Sequence, residues 1–204
     1  MNKTVILDCG HGGEFNGVYQ TSGKRSPIWE DGSVYYEGVG NRQIANIAAQ
    51  YLRALGWKVL FTVEPSDHTD VSLRTRIPRS NAYFKMNPTA FQISIHSNGV
   101  SNESANGAEV FTSIGQTRSD KIATIWMEEH IKQFPWLNIR ADRKDGDVDK
   151  EQSLAMNKVN CNSILIESMF HTNRKECEIL MSESGREKIA IAIVETCERV
   201  HKEL

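Results

Sequence analysis

The chain has 204 residues, 39% of them hydrophobic and 25% charged, with a formal net charge of −2. This composition is typical of a folded globular protein and excludes a disordered or fibrous chain. The near-neutral charge gives no overall positive field for nucleic acid, and no apolar stretch approaches the roughly 18 residues of a membrane span. We therefore expect one domain over residues 1–204, with no nucleic-acid partner and no membrane insertion.

The N-terminus and the cysteines both bear on the cellular compartment. The first residues lack the continuous apolar segment of a secretory signal, which predicts a protein that is made in the cytoplasm. The four cysteines contain no C-x-x-C pair and are predicted to be reduced and mostly buried. They are Cys9, Cys161, Cys177 and Cys197.

The first predicted strand determines how the rest of the chain is interpreted. An aliphatic run from Val5 ends in glycines around His11, as a buried strand does where its carboxyl end opens into a loop. Residues 14–36 are predicted to form a long loop, and loops of this length in a compact domain are usually functional. Helical periodicity then begins near Glu37 and stops at Gly56.

The middle of the chain repeats this arrangement. Residues 57–63 are predicted to form a second strand, and a helix is predicted from residue 72 towards residue 84. Pro78 predicts a kink or an early break in that helix. Residues 90–95 have the apolar character of a third central strand, which ends at His96.

The remainder contains two further strands and two helices. Strands are predicted at 107–112 and 163–166, the second ending at Glu167, and helices at 119–134 and 187–203. Strands that alternate with helices in this way predict an α/β fold, with an open, mostly parallel twisted sheet and helices on both faces.

The segment from 135 to 160 is the least regular part of the chain. Asp145, Asp147 and Asp149 alternate as the ligands of a calcium loop do. Lys150 stands where the sharp turn of such a loop needs glycine. The segment is therefore predicted to be a solvated acidic loop.

Ionisable groups follow three of the predicted strands. They are His11, His96 and Glu167, and Glu37 lies near a helix start. In open α/β sheets, ligands bind outside the carboxyl ends of the strands, so these groups are expected to converge. Two histidines and a carboxylate can hold a catalytic zinc ion, and a second carboxylate can accept a proton from water. The set indicates metal-assisted hydrolysis.

Spacing alone leaves structural alternatives open, because the four groups are dispersed and no H-E-x-x-H motif is present. His11 could be a loop residue that caps a strand, and His96 a hydrogen-bonded core residue. Glu37 could favour a helix N-terminus through the macrodipole. Glu167 could form a salt bridge with Arg74 or Arg76. The histidines without a surrounding motif are predicted to lie at the surface, namely His68, His130 and His201.

Five motifs occur in a characteristic order along the chain. They read Leu-Asp-Cys-Gly-His-Gly-Gly, a glutamate heading a helix, Ser-Leu-Arg-Thr-Arg, Ile-Ser-Ile-His-Ser-Asn, and Ile-Leu-Ile-Glu-Ser-Met-Phe-His-Thr-Asn. In this order they resemble the zinc-dependent N-acetylmuramoyl-L-alanine amidases of the amidase_3 type. The resemblance runs from Lys3 to about Val200.

The resemblance implies an activity and a role for each matching residue. The family cleaves the amide bond between N-acetylmuramic acid and L-alanine in peptidoglycan. His11, Glu37 and His96 match its ligands for one Zn²⁺ ion per chain, and Glu167 matches its catalytic glutamate. Glu167 would accept the proton of the zinc-activated water and pass it to the leaving alanine nitrogen.

Several residues near these motifs have less defined roles. Asn98, His171 and Asn173 are possible substrate contacts, although a turn-forming role is the alternative for the two asparagines. Cys9 stands where a proline is usual before Gly-His. Its role is either structural or that of an accessory metal ligand. Two other functions stay open: a zinc peptidase that cuts within the stem peptide, and a wall-binding module that has lost activity.

The resemblance and the N-terminal sequence together predict a biological role. A catalytic domain without an export signal or a separate wall-binding module fits a phage or prophage lysis enzyme, of the endolysin kind. Such an enzyme is made in the cytoplasm and acts on the cell wall after release. We expect it to be a monomer.

Overall fold

A six-stranded sheet forms the centre of the structure, a computed structural model that describes residues 3–143 and 146–204. Its strands are β1 (Thr4–Cys9), β4 (Lys58–Phe61), β5 (Phe91–Asn98), β6 (Glu109–Thr112), β7 (Lys150–Glu151) and β8 (Ser163–Phe170), while β2 (Glu14–Phe15) and β3 (Val18–Tyr19) form a separate hairpin. The helices are α1 (Glu37–Ala54), α2 (Leu73–Met86), α3 (Arg118–Gln133), α4 (Arg174–Met181) and α5 (Glu183–Glu203).

The strand order confirms the predicted fold class. The order is β4-β1-β5-β8-β6-β7, and the first four of these strands are parallel. β6 runs antiparallel to β8, and β7 runs parallel to β6. The sheet is therefore mostly parallel, with two strands of reversed direction at one edge.

The two faces of the sheet differ in chemistry. The face that carries Val5, Leu7 and Ile93 packs with α1, α3 and α5 in the main hydrophobic core. Side chains alternate along a strand, so the residues between these point to the other side of the sheet, and the sequence of β5 alternates apolar and polar residues.

The opposite face of the sheet carries buried polar residues, together with a small apolar cluster. Asp8, Gln92 and Ser94 lie on it with no exposed surface, and α2 covers it together with the short 3₁₀ helix Ala155–Asn157. Because side chains alternate along a strand, His96 and Glu167 continue this polar face towards the carboxyl ends of β5 and β8. The candidate site lies there.

Several features of the secondary structure differ from the sequence predictions. The hairpin of β2 and β3 lies within the predicted 14–36 loop, α4 was not predicted, and α5 begins four residues earlier than expected. The predicted early break at Pro78 is wrong, because α2 continues to Met86. No helix in the described residues is both long and apolar enough to cross a membrane.

The acidic segment is less solvated than predicted. Asp145 lies outside the described residues, but Asp149 is only 2% exposed and accepts a hydrogen bond from Thr112 Oγ1. Burial and the neighbouring carboxylate of Asp147 raise the pKa of Asp149 to about 7, although the hydrogen bond from Thr112 opposes this. This carboxyl group therefore ionises in a poorly hydrated environment.

His130 is also buried, contrary to the predicted surface position. Its ring stacks on Trp126 at a centroid distance of 4.8 Å, and its Nε2 lies 2.9 Å from the carbonyl oxygen of Ser168. Burial lowers the pKa of His130 to about 4, so the ring is neutral near pH 7. It belongs to the main core between α3 and β8.

Candidate metal centre

Two histidines and one glutamate meet at the carboxyl ends of β1 and β5. His11, Glu37 and His96 each offer one ligand atom, and these atoms lie within 4.8 Å of one another. Glu37 Oε1 is 3.3 Å from His11 Nε2 and 3.0 Å from His96 Nδ1. Ligands that bind a tetrahedral zinc ion at about 2.0–2.1 Å are about 3.3 Å apart, so the spacing fits a zinc ion.

A left-handed backbone conformation places His11 in the site. His11 has a φ angle of 62°, which is unusual for a residue other than glycine. Its carbonyl oxygen accepts a hydrogen bond of 2.6 Å from Arg42 Nη1, and Asn41 Nδ2 donates to the carbonyl oxygen of Gly10 at 3.2 Å. The second turn of α1 therefore fixes the carbonyl groups of both Gly10 and His11.

Close backbone contacts explain two glycines of the site. The His96 ring lies directly over Gly10, where a β-carbon would overlap the imidazole. At Gly38, a β-carbon would overlap the carbonyl oxygen of Gly12. The first contact allows the His96 ring to lie against the loop after β1, and the second allows the first turn of α1, which carries Glu37, to approach the same loop.

The protonation states suit a metal site. Burial alone would raise the pKa of Glu37, but hydrogen bonds from His11 and His96 outweigh it, and the pKa of this carboxyl group lies well below its usual value. Burial lowers the pKa of His96, although Glu37 opposes the shift. An ionised carboxylate and a neutral imidazole are the forms that bind zinc.

Glu167 lies beside this cluster and forms no salt bridge with any of the described residues. It pairs in register with His96, and its Oε2 is buried with no hydrogen-bond partner among the described residues. Burial and the nearby carboxylate of Glu37 raise the pKa of Glu167 well above its usual value, and Lys24 partly opposes this. A divalent cation held by the neighbouring ligands would compensate this concentration of negative charge.

The alternative salt bridge for Glu167 does not form with Arg76. Arg76 Nη2 lies 2.5 Å from Asp8 Oδ2, and the carboxylate of Asp8 also accepts hydrogen bonds from Thr62 and Ser94. Asp8 is fully buried, so this ion pair neutralises a charge directly before the Cys9-Gly10-His11 turn.

The three possible substrate contacts have hydrogen-bond partners within the protein. Asn98 Nδ2 donates to Glu109 Oε2 at 2.8 Å, and Asn173 caps α4 by accepting from the amide of Glu176. His171 is only 3% exposed, and its Nδ1 lies 3.1 Å from Ser97 Oγ. These contacts position the strand ends around the site, and a direct contact with substrate stays a prediction for each residue.

The cysteines are buried and reduced, as predicted. Cys9 has no exposed surface and packs in the main core, on the face opposite the ligands. Burial raises the pKa of its thiol to about 12, although Arg42 opposes this, so Cys9 is a structural residue here.

Three residues that shape the site are absent from the sequence predictions. Arg42 and Asp8 fix the loop around His11, and Glu109 lies beside Glu167 on the neighbouring strand β6. A charge within an otherwise apolar strand is a signal that could have identified Asp8 and Glu109. Arg42 gives no such signal, because arginine is common on helices.

An α/β sheet that brings a His-Glu-His cluster to the carboxyl ends of its strands defines a class of candidate metal-dependent enzymes. The chain belongs to the Amidase_3 family, described as N-acetylmuramoyl-L-alanine amidase, whose profile matches residues 5–199. Members of this family act on peptidoglycan. A comparison with curated protein sequences found no match.

Solved structures of N-acetylmuramoyl-L-alanine amidases have the same fold. The enzyme from Clostridium difficile 630 is 24% identical, with a TM-score of 0.77, and the match covers 99% of this chain and 98% of that one. Ami1 from Mycobacterium smegmatis is 19% identical, with a TM-score of 0.77 over the whole of both chains. The CwlD amidase from Clostridioides difficile, solved in complex with the GerS lipoprotein, is 25% identical, with a TM-score of 0.74 over 98% and 99%.

Proposed function

We propose that the chain is a zinc-dependent amidase that hydrolyses the bond between N-acetylmuramic acid and L-alanine in peptidoglycan. His11, Glu37 and His96 would hold the zinc ion, and Glu167 would serve as the general base and acid. One observation carries the proposal: three suitable ligand atoms within 4.8 Å of one another lie beside Glu167, whose buried Oε2 has no hydrogen-bond partner among the described residues.

The proposed roles follow from the positions of the side chains. When bound, zinc supplies Lewis-acid chemistry that polarises a carbonyl group and makes water more acidic. Glu167 accepts a proton from the attacking water as the new carbon–oxygen bond forms. It then donates this proton to the alanine nitrogen as the carbon–nitrogen bond breaks, which releases a carboxylate and a free amine.

The decisive experiment identifies the bond that is cut. Purified peptidoglycan is digested with the protein, and mass spectrometry of the products is combined with labelling of new amino groups. We expect new amino groups on L-alanine, loss of activity after treatment with a chelator, and recovery after addition of zinc.

A pair of variants separates chemistry from folding. Glu167→Gln should lower the rate about 10²–10⁴-fold, because a positioned general base contributes that much, while bound zinc stays near one per chain. Glu178→Gln, on the exposed surface of α4, should keep wild-type activity. New amino groups on a residue other than L-alanine would indicate a peptidase. Binding to peptidoglycan without the release of any product would indicate a non-catalytic module.

The biological role and the monomeric state are further proposals from the sequence. We propose that the protein is made in the cytoplasm and reaches the cell wall during phage or prophage lysis. Cell fractionation tests this role, and export during normal growth would contradict it. Light scattering of the purified protein tests whether it is a monomer.

A further inference from the structure

A row of ionisable side chains crosses the open polar face of the sheet. His96 on β5 pairs in register with Glu167 on β8, and Glu167 pairs in register with Glu109 on β6. Paired residues on neighbouring strands project from the same face of a sheet. Glu109 therefore lies next to the proposed general base, on the side away from the metal ligands.

Two cations surround the carboxylate of Glu109. Arg140 Nε lies 2.5 Å and Lys150 Nζ lies 2.9 Å from the same oxygen, Glu109 Oε1. The other oxygen accepts the hydrogen bond from Asn98. Glu109 is 5% exposed, and the side chain of Arg140 is 42% exposed, so the cluster presents its excess positive charge at the surface.

Backbone contacts hold Arg140 in this position. Its amide donates to the carbonyl oxygen of Ala108 at 3.0 Å, and Ala108 forms a bridge with Ile139. Its guanidinium lies 5.1 Å from the centre of the Phe170 ring. The neighbouring acid Glu176 is 1% exposed, and both of its oxygens accept backbone amides, so its charge is directed inward. Arg140 is thus preorganised beside Glu109, which pairs with the proposed catalytic residue Glu167.

We infer that Arg140, supported by Lys150 and Glu109, binds a carboxylate of the peptidoglycan stem peptide. The inference rests on the proposed function. Around the scissile amide, the sugar side carries no anion, because the lactyl carboxyl group is itself part of the amide. The peptide side carries a free carboxylate on the second residue, D-glutamate, whose other carboxyl group continues the stem peptide. A guanidinium is the group best suited to bind a carboxylate through two hydrogen bonds.

The distances are compatible with this assignment. Neighbouring strands lie about 4.8 Å apart, so the side chain of Glu109 begins about 5 Å from that of Glu167. An extended peptide advances about 3.3–3.6 Å per residue. A substrate with its scissile amide at Glu167 can therefore place the glutamate carboxylate of the next residue at Arg140.

The experiment pairs a change in the enzyme with a change in the substrate. One soluble substrate is the disaccharide linked to L-alanyl-D-glutamate, and the other is the same compound with both glutamate carboxyls amidated. We expect wild-type kcat/KM to be about 10-fold lower for the amidated compound, from the loss of one charge-assisted contact. Arg140→Gln should lower kcat/KM for the acidic substrate to that level, mainly through KM, and should leave the amidated substrate unaffected.

Two further variants control the experiment. Arg53 also lies over a phenylalanine ring, that of Phe61, but Phe61 is on β4 at the opposite edge of the sheet. Arg53→Gln should therefore leave kcat/KM unchanged for both substrates. Arg140→Lys should restore part of the preference. Equal loss on both substrates would assign Arg140 a structural role, and a wild type without preference would exclude the carboxylate site. If the protein cleaves neither compound and also fails to cleave peptidoglycan, the proposed function itself is overturned.

Discussion

Buried acids in this domain fall into two groups according to the partners of their oxygens. Both oxygens of Asp8 accept hydrogen bonds, including two from Arg76. Glu37, Asp147, Asp149 and Glu167 each have a buried oxygen with no hydrogen-bond partner in the part of the chain that is described. A buried carboxylate without a partner is unfavourable when ionised, so such positions mark a functional site or a pH-dependent one.

Asp149 should make stability depend on pH. Its pKa is raised from 3.8 to about 7 by burial and Asp147, so its stabilising contribution is present below about pH 4 and is lost as the pH rises through 7. Asp149→Asn cannot ionise and can still accept the hydrogen bond from Thr112. We expect its Tm to exceed that of the wild type by a few degrees at pH 8, since 1 kcal/mol corresponds to about 2–4 °C in a chain of this size.

Calorimetry at pH 4 and pH 8 checks this prediction. The advantage of Asp149→Asn should disappear at pH 4, where the wild-type carboxyl group is protonated. Asp31→Asn is the control, because Asp31 is exposed and pairs with Arg174, and it should not raise the Tm at pH 8. A gain in Tm that is equal at both pH values would contradict the assigned pKa.

Among the elements, α1 does most to build the candidate site. Its first residue is the proposed ligand Glu37, and its second turn carries Arg42. Arg42 donates to four carbonyl groups, which belong to His11, Gly38, Asp67 and Thr69. One guanidinium therefore joins the helix, the loop after β1 and the loop that precedes α2.

Arg42→Lys should weaken zinc binding while the fold is retained. Lysine keeps the charge but cannot donate to four carbonyl groups in fixed directions, so the left-handed conformation of His11 loses its support. We expect the zinc Kd to rise about 10–100-fold, as is usual when groups that orient a ligand are lost. Competition with a chromophoric chelator measures this Kd. Arg53→Lys, on the exposed side of the same helix, is the control, and equal Kd values for the two variants would contradict the role of Arg42.

At this scale, sequence periodicity predicted the long elements and missed the short ones. The strands around Val5 and Ile93 and the helix α1 have clear apolar patterns. The β2–β3 hairpin has only two residues in each strand, and the eight residues of α4 are too few for a distinct helical period. The direction of β6 depends on its pairing with β8, which no local pattern encodes.

For the whole molecule, the candidate centre combines segments that are remote in sequence. Its two histidines could be predicted to converge because both follow parallel strands, whose carboxyl ends meet at one edge of the sheet. The resemblance to known amidases supplied Glu37 as a ligand and Glu167 as the catalytic residue. The Glu109, Arg140 and Lys150 cluster could not be predicted, since it depends on strand pairing and on a loop that has no periodicity.

X-ray diffraction from crystals grown with zinc, recorded at the zinc absorption edge, is the most direct test of the central claim. We predict one anomalous peak, at about 2.0–2.1 Å from a nitrogen of His11, a nitrogen of His96 and an oxygen of Glu37, with Glu167 nearby but not bound to the metal. A peak elsewhere in the molecule, or one bound by Glu167 in place of Glu37, would contradict the account.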